Sequence, residues 1–176
     1  MTDATTITPQ RNTLSKSERV ASRNTVETLF GGGHSRALSA FPLRMVYMLA
    51  PRAEGEPAAQ MLVSVPKRWF KRAVKRNRIK RQVREAYRTS KHQLLADIDT
   101  LFPGQKLVMA FIYIDGELLP SAEIDAKLKN LLCRVGEKLN VKCQRRHGTH
   151  KADTSQHTTG SGDATDTTDT TTALQP

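Results

Sequence analysis

The chain has 176 residues and carries 28 Lys and Arg against 17 Asp and Glu, a formal net charge of +11, a balance that favours a polyanionic partner. Its longest apolar run, Leu107 to Ile114, has eight residues; a membrane-spanning helix needs roughly 20, and the polar stretch Met1–Gln10 lacks the apolar core of a secretory signal. Two cysteines, Cys133 and Cys143, do not build a disulfide framework, so the chain reads as cytoplasmic, with reduced thiols and no membrane partner.

Composition divides the chain into a flexible N-terminus (1–14), a folded domain (15–145) and a Thr/Asp/Ser-rich tail (146–176). The tail has too little apolar surface to offset the entropy of ordering and is expected to be disordered. Within the domain, Val26, Leu29 and Phe30 share one face of a short helix. Ser22 or Asn24 caps its start, Asn24 with Glu27 resembling a capping box, and Gly31-Gly32-Gly33 ends it. Pro42–Ala50 alternates as a strand, with Leu43, Met45, Tyr47 and Leu49 on one face and Arg44, Val46 and Met48 on the other. After turn residues from Pro51 to Pro57, Gln60–Val65 reads as a second strand, expected to pair antiparallel with the first. A basic helix spans about Val74–Leu95, and Pro103-Gly104 makes a turn. Lys106–Ile114 is apolar on both faces and should be a central strand. Ser121–Leu139 is a helix with an unbroken stripe of Ile124, Leu128, Leu131, Leu132, Val135 and Leu139. The order predicts an α/β sandwich with helices packed on a mixed sheet.

The segment Lys67–Arg88, KRWFKRAVKRNRIKRQVREAYR, holds eleven basic residues in 22 positions and a single acid, Glu85. At about 100° per residue, Ile79, Val83, Ala86 and Tyr87 fall on one side, while Asn77, Lys80, Arg81, Arg84 and Arg88 fan across the other. Guanidinium groups crowded on one face repel one another, and a polyphosphate supplies the missing counter-charge. Arginine suits this role because its planar fork bonds two phosphate oxygens and stacks on bases. Arg76 falls close to the apolar side and is expected to swing outward from the first turn.

At these residues the chain resembles the protein component of bacterial ribonuclease P. The family's signature is a basic loop after a strand, then Ala-Val, Arg-Asn-Arg, Lys-Arg, and Arg-Glu with an aromatic. Here it reads Ser64-Val65-Pro66-Lys67-Arg68, Ala73-Val74, Arg76-Asn77-Arg78, Lys80-Arg81 and Arg84-Glu85-Ala86-Tyr87-Arg88. The resemblance covers roughly residues 14 to 140. The loop Lys67–Arg72 departs from it, being longer by a residue with Trp69-Phe70 in place of small residues, and Val26 stands where the family often has an aromatic. The resemblance implies an α-β-β-β-α-β-α fold with a mixed four-stranded sheet and a left-handed crossover, its extra strand lying between His34 and Ala40. It also implies a division of labour. The RNA subunit hydrolyses precursor tRNA with Mg2+ held mainly by itself and the substrate, and the protein contributes no catalytic residue. The protein binds the RNA subunit through Lys67, Arg68, Arg76, Asn77, Arg78, Lys80, Arg81, Arg84 and Arg88. It holds the 5′ leader in a cleft involving Val26, Phe30 and Tyr47. No protein partner is implied.

The other motifs add little. Asp97 with Asp99, Asp115 with Glu117, and Glu123 with Asp125 are the acid pairs open to a metal-dependent nuclease, but each lies near a loop or helix start, where acids form turns and caps. Cys143, His147 and His150 have zinc-like spacings without an evident fourth ligand. Trp69 and Phe70 sit among basic residues, which favours an RNA contact for at least one of them. The rival reading is a structural RNA-binding protein, such as a ribosomal component or assembly factor; composition alone does not separate the two.

Overall fold

The computed structural model describes residues 12–31 and 33–149. Its elements are α1 (Arg23–Phe30), β1 (Arg36–Ala40), β2 (Leu43–Pro51), β3 (Ala59–Ser64), α2 (Ala73–Ser90), α3 (His92–Leu101), β4 (Gln105–Tyr113) and α4 (Ser121–Thr149). The strand expected between His34 and Ala40 is β1. Among the described residues, no helix is long and apolar enough to cross a membrane.

The four strands stand in the order β1-β2-β4-β3. β1 and β4 flank β2 antiparallel, and β3 runs parallel to β4. The expected hairpin between β2 and β3 therefore does not form, because β4 lies between them. The connection bridges the start of β4 instead: the Arg52 N–H donates to Gly104 O at 3.0 Å and the Leu107 N–H to Ala58 O at 2.9 Å. Lys106 on β4 pairs with Glu56 of the same connection at 2.6 Å, and that bond holds the Glu56 carboxyl below its usual range. Every residue of β4 from Leu107 to Phe111 is buried. A strand apolar on both faces loses most by standing at an edge, so it takes the interior place and leaves β2 and β3 apart.

Strand parity divides the core in two. Leu43, Met45, Tyr47, Met61, Val63, Leu107, Met109 and Phe111 face the larger layer, made by α2, α3 and α4. Val46, Met48, Val108 and Ala110 face the other way and meet Leu29 of α1. Ser22 caps α1 by accepting from the Thr25 N–H at 3.5 Å, while Asn24 lies inside the helix. At its end Gly31 stays right-handed, its N–H donating to Glu27 O at 2.6 Å, and a Cβ there would lie 2.7 Å from that oxygen. Of the described glycines that follow α1, Gly33 is left-handed, at φ 90°.

The helix expected over Val74–Leu95 divides at Lys91 and continues to Leu101. Lys91 keeps helical dihedrals, φ −73° and ψ −23°, and is 3% exposed. Its ammonium donates to both Glu18 carboxylate oxygens at 2.6 Å and to Thr13 O at 2.5 Å. Arg88 donates to Asn12 O beside it, and the His92 ring meets the Asn12 side chain. The chain then runs along the outer edge of β3, where the Met61 N–H donates to Glu18 O at 2.8 Å and the Val20 N–H to Met61 O at 3.1 Å. That strap covers backbone groups an edge strand would otherwise expose. α4 runs ten residues beyond its predicted end at Leu139, and all six apolar side chains of its predicted stripe are buried. Residues 1–11 and 150–176, which hold most of the predicted flexible segments, lie outside the described residues, as does His150 of the zinc-like spacing.

The Lys91–Glu18 pair generates a stability prediction. Lys91→Ala leaves a carboxylate without its partner in a dry site and should destabilise the fold by about 3 kcal/mol, while a paired Glu18→Leu and Lys91→Met change should recover most of that loss. Urea unfolding of the unaltered chain and the two variants measures it; equal stability of the single and double variants contradicts the pairing.

Candidate nucleic-acid interface

Helix α2 forms because its apolar positions recur at helical spacing, and Ile79, Val83, Ala86 and Tyr87 are its buried residues, as the wheel predicts. Tyr87 stacks at a tilt on Phe111 with ring centroids 6.2 Å apart, and burial, aided by the Glu18 charge, pushes its phenol well above the usual range. Asn77, Arg78 and Arg81 are exposed, and Lys80 and Arg84 are half-buried. Gln82 ties α2 to the start of α4, its amide donating to Leu119 O at 3.3 Å and to Ser121 Oγ at 2.9 Å. Beside it a groove of about 770 Å³ separates the two helices, with Arg81 and Lys129 facing Glu85 and Asp125. The purely cationic part of the surface thus lies toward the start of α2.

The start of α2 is electrostatically open. Its first turn has no acid, and its N-cap, Arg72, makes no side-chain cap. Unsatisfied N–H groups and the positive end of the helix dipole add to Lys71, Arg72 and Lys75, all exposed. These three cations were not singled out from the sequence; the signal that marks them is a helix start without a capping or acidic residue. Lys67 and Arg68 are exposed in the loop before it.

Two predicted contacts are turned inward. Arg76 does not swing out to solvent: its Nη1 donates to Phe70 O at 2.8 Å and to Lys71 O at 2.7 Å, bracing the loop against the helix. The orphan carbonyls of a tight loop next to the first turn give the guanidinium a nearer partner than water. Arg88 bonds Glu85 at 2.6 and 2.9 Å as well as Asn12 O. This holds the Glu85 carboxyl below its usual range, so the single acid of the segment is engaged by Arg88.

The cleft residues do not share one surface. Phe30 is 47% exposed at the end of α1, and Val26 is half-buried on the same helix. Tyr47 is 3% exposed and packs in the larger core layer on the opposite sheet face. The period of two along β2 decides this: Leu29 of α1 packs on Val46 and Met48, so Tyr47 must point away. Tyr47 faces Arg36 across β1, and burial raises its phenol pKa against the opposing pull of that cation. Arg44, of the parity that faces α1, is exposed. It stands in register with Ile112 and, through it, Ser64. Of the loop pair, Phe70 is core and Trp69 is 40% exposed.

Four of the six candidate acids have partners close by. Asp99 pairs with Arg52, Asp97 accepts from Gln93 at 3.1 Å, Asp115 accepts from the Gly116 N–H at 2.7 Å, and Asp125 pairs with Lys129 at 2.7 Å. Among the described residues no group of three His, Cys, Asp or Glu is placed to hold a metal ion. Cys133 is an exposed thiol.

The sequence model of the family described as Ribonuclease P matches residues 14–135. A protein named ribonuclease P protein component from Porphyromonas gingivalis (strain ATCC 33277) is 42% identical over 123 residues, covering 69% of this chain and 85% of that protein. One of the same name from Chlorobium phaeobacteroides is 37% identical over 120 residues, covering 64% and 80%. The crystal structure of the Staphylococcus aureus RNase P protein superposes with a TM-score of 0.50 at 15% identity, over 67% of this chain and 94% of that one, a likeness of fold.

These placements separate inward-braced arginines from exposed ones. Arg76→Ala should lower stability by about 1.5–3 kcal/mol, the worth of hydrogen bonds made by a charged donor. Arg78→Ala should leave the melting temperature unchanged while reducing the salt dependence of RNA binding by about one ion. Thermal melts and binding titrations at several salt concentrations read both; a destabilised Arg78 variant or a fully stable Arg76 variant reverses the assignment. Tyr47→Ala should cost about 3 kcal/mol or more as a core truncation, whereas Phe30→Ala should leave the fold intact and weaken RNA binding.

Proposed function

The chain belongs to the ribonuclease P protein family, and from that premise we propose that α2 docks on the catalytic RNA subunit while the α1 face of the sheet holds the 5′ leader of precursor tRNA. The protein is the accessory subunit of a ribonucleoprotein endonuclease that removes the leader to give the mature tRNA 5′ end. Its work is cytoplasmic, as expected of a subunit that meets newly made tRNA.

The observation that carries this reading is the one-sided charge of α2 and its approach loop. Lys67, Arg68, Lys71, Arg72 and Lys75 gather around a helix start without acid or cap, Arg78, Lys80, Arg81 and Arg84 continue the charge along the helix, and Ile79, Val83 and Tyr87 bury the reverse face. Bringing a catalytic RNA and its substrate together sets two phosphate backbones side by side, and protein cations between them lower that repulsion. The lost neutralisation would otherwise fall to free cations, so the protein reduces the magnesium requirement. The family's chemistry uses Mg2+, supplied with the RNA subunit and substrate. Of the candidate acids, Asp99 and Asp125 pair with Arg52 and Lys129, and Asp97 and Asp115 accept from Gln93 and the Gly116 N–H; none of them is assigned a part in holding the reactive ions.

On the α1 face, Phe30 supplies an exposed aromatic surface and Arg44 a cation three residues from Tyr47, replacing Tyr47 as the cleft residue of β2. Aromatic faces and guanidinium groups together hold single strands with little regard for sequence, which suits a leader that differs from one tRNA to the next.

Reconstitution tests the reading. With a cognate RNA subunit, the protein should restore precursor cleavage at a magnesium concentration where the RNA alone is inactive, and the protein alone should cleave nothing. Alanine at Asp97, Asp99, Asp115, Glu117, Glu123 or Asp125 should leave the chemical step unchanged. A fall of about 10²-fold from one of them, in folded protein under saturating conditions, would place a catalytic group on the protein. Retention of ribosomal RNA in place of a cognate RNA subunit would favour the structural RNA-binding alternative.

A further inference from the structure

We propose that Trp69, with Arg68, forms a stacking platform for an unpaired base of the precursor's 5′ leader. The inference rests on the function assigned above and concerns a contact made by the loop before α2.

Trp69 is the single tryptophan of the chain, and the structure leaves it 40% exposed. Its neighbour Phe70 fills the core position instead, packing on Tyr113 at 6.0 Å between ring centroids. The indole keeps apolar area in water beside cations, area that a stacked base would cover. The loop that carries it is braced from both sides. The Trp69 N–H donates to Pro66 O at 3.3 Å, Phe70 anchors the next residue, and Arg76 clamps the carbonyls of Phe70 and Lys71. A ring held in place this way loses little further freedom when a ligand stacks on it.

The chemistry around the ring suits a nucleotide. The Arg68 guanidinium carbon stands 5.2 Å from the ring centroid, so one small surface offers an aromatic face to a base and a cation to the adjoining phosphate.

Position favours the leader over other strands. The loop leaves the end of β3 at Ser64, the residue in register with Ile112 and, through it, Arg44 on the α1 face. On the β4 side, a Cβ built at Gly116 would lie 3.5 Å from Trp69 Cε3, so the ring stands where the ends of β3 and β4 meet. α2 begins four residues later. A strand lying on the α1 face and leaving past this end of the sheet meets Trp69 before it reaches the arginine helix.

A lone tryptophan makes its own emission the test. In the assembled holoenzyme, stopped-flow mixing with precursor tRNA should lower tryptophan emission, and mixing with mature tRNA should not. Trp69→Ala should weaken precursor binding relative to mature tRNA by about tenfold, equivalent to about 1.4 kcal/mol and the size of one stacked base. Trp69→Phe should recover most of that ratio, and affinity for the RNA subunit should be the same in all three proteins. Unchanged emission with a precursor that the same preparation goes on to cleave overturns the platform and leaves the family function standing. Loss of emission on assembly with the RNA subunit alone, with no further change on adding precursor, overturns the leader as the source of the base. A preparation that cleaves no precursor contradicts the underlying function instead.

Discussion

The burial of β4 on both faces is the constraint from which the rest of the architecture follows. A strand with Leu107, Val108, Met109, Ala110 and Phe111 all inaccessible needs a layer of helix on each side and a partner strand on each edge. The antiparallel edge is filled by β2 and the parallel edge by β3. Parallel neighbours cannot be joined by a tight turn; they need a crossover of a dozen or more residues, usually helical. Here α2 and α3 make that crossover. The helix that carries the arginines is therefore a structural necessity of the sheet, and its Ile79, Val83 and Tyr87 meet that obligation while the opposite face is free to carry charge.

That freedom is used almost entirely for cations of one sign, which works against the fold in the absence of a partner. Mutual repulsion on α2 is relieved at few points: Glu85 takes Arg88, and Arg76 turns to loop carbonyls. The buried Lys91–Glu18 pair fixes the N-terminal strap where α2 meets α3. The inward-facing basic side chains thus brace the fold, and the outward-facing ones are those we propose for RNA. The likeness to ribonuclease P protein components over residues 14–135 spans both groups.

Much of this was legible because periodicity reports burial directly. The two-sided apolarity of β4 and the stripes of α2 and α4 name their own inward faces, and the structure buries residues 107–111 and the stripe residues; the alternation of β2 separates its two faces, both of which meet a core layer. Pairing was not legible in the same way: the turn residues after Pro51 suggest a hairpin, but the hydrophobic requirement of β4, some fifty residues on, takes precedence over that local signal. The split at Lys91 was hidden because a lysine reads as surface, and only the approach of Glu18 and Thr13 from a distant segment makes its burial tolerable. Arg76 and Arg88 looked like their exposed neighbours for a similar reason, since their partners, loop carbonyls and Asn12, carry no pattern. Tyr47 is a different case. Its parity with Met45 marked it as facing away from Arg44, Val46 and Met48, while the resemblance placed it in the cleft, and the register supports the parity.

The central claim is that two surfaces of one small domain serve two RNAs, α2 the RNA subunit, the α1 face and the sheet end beside it the leader. Cross-linking of the assembled holoenzyme with precursor tRNA, followed by assignment of each linked peptide to its RNA, tests it most directly. Peptides spanning Asn77–Arg84 should link to the RNA subunit, and peptides carrying Phe30 or Arg44 to the leader. Leader cross-links confined to α2, with none from α1 or β2, would contradict the account.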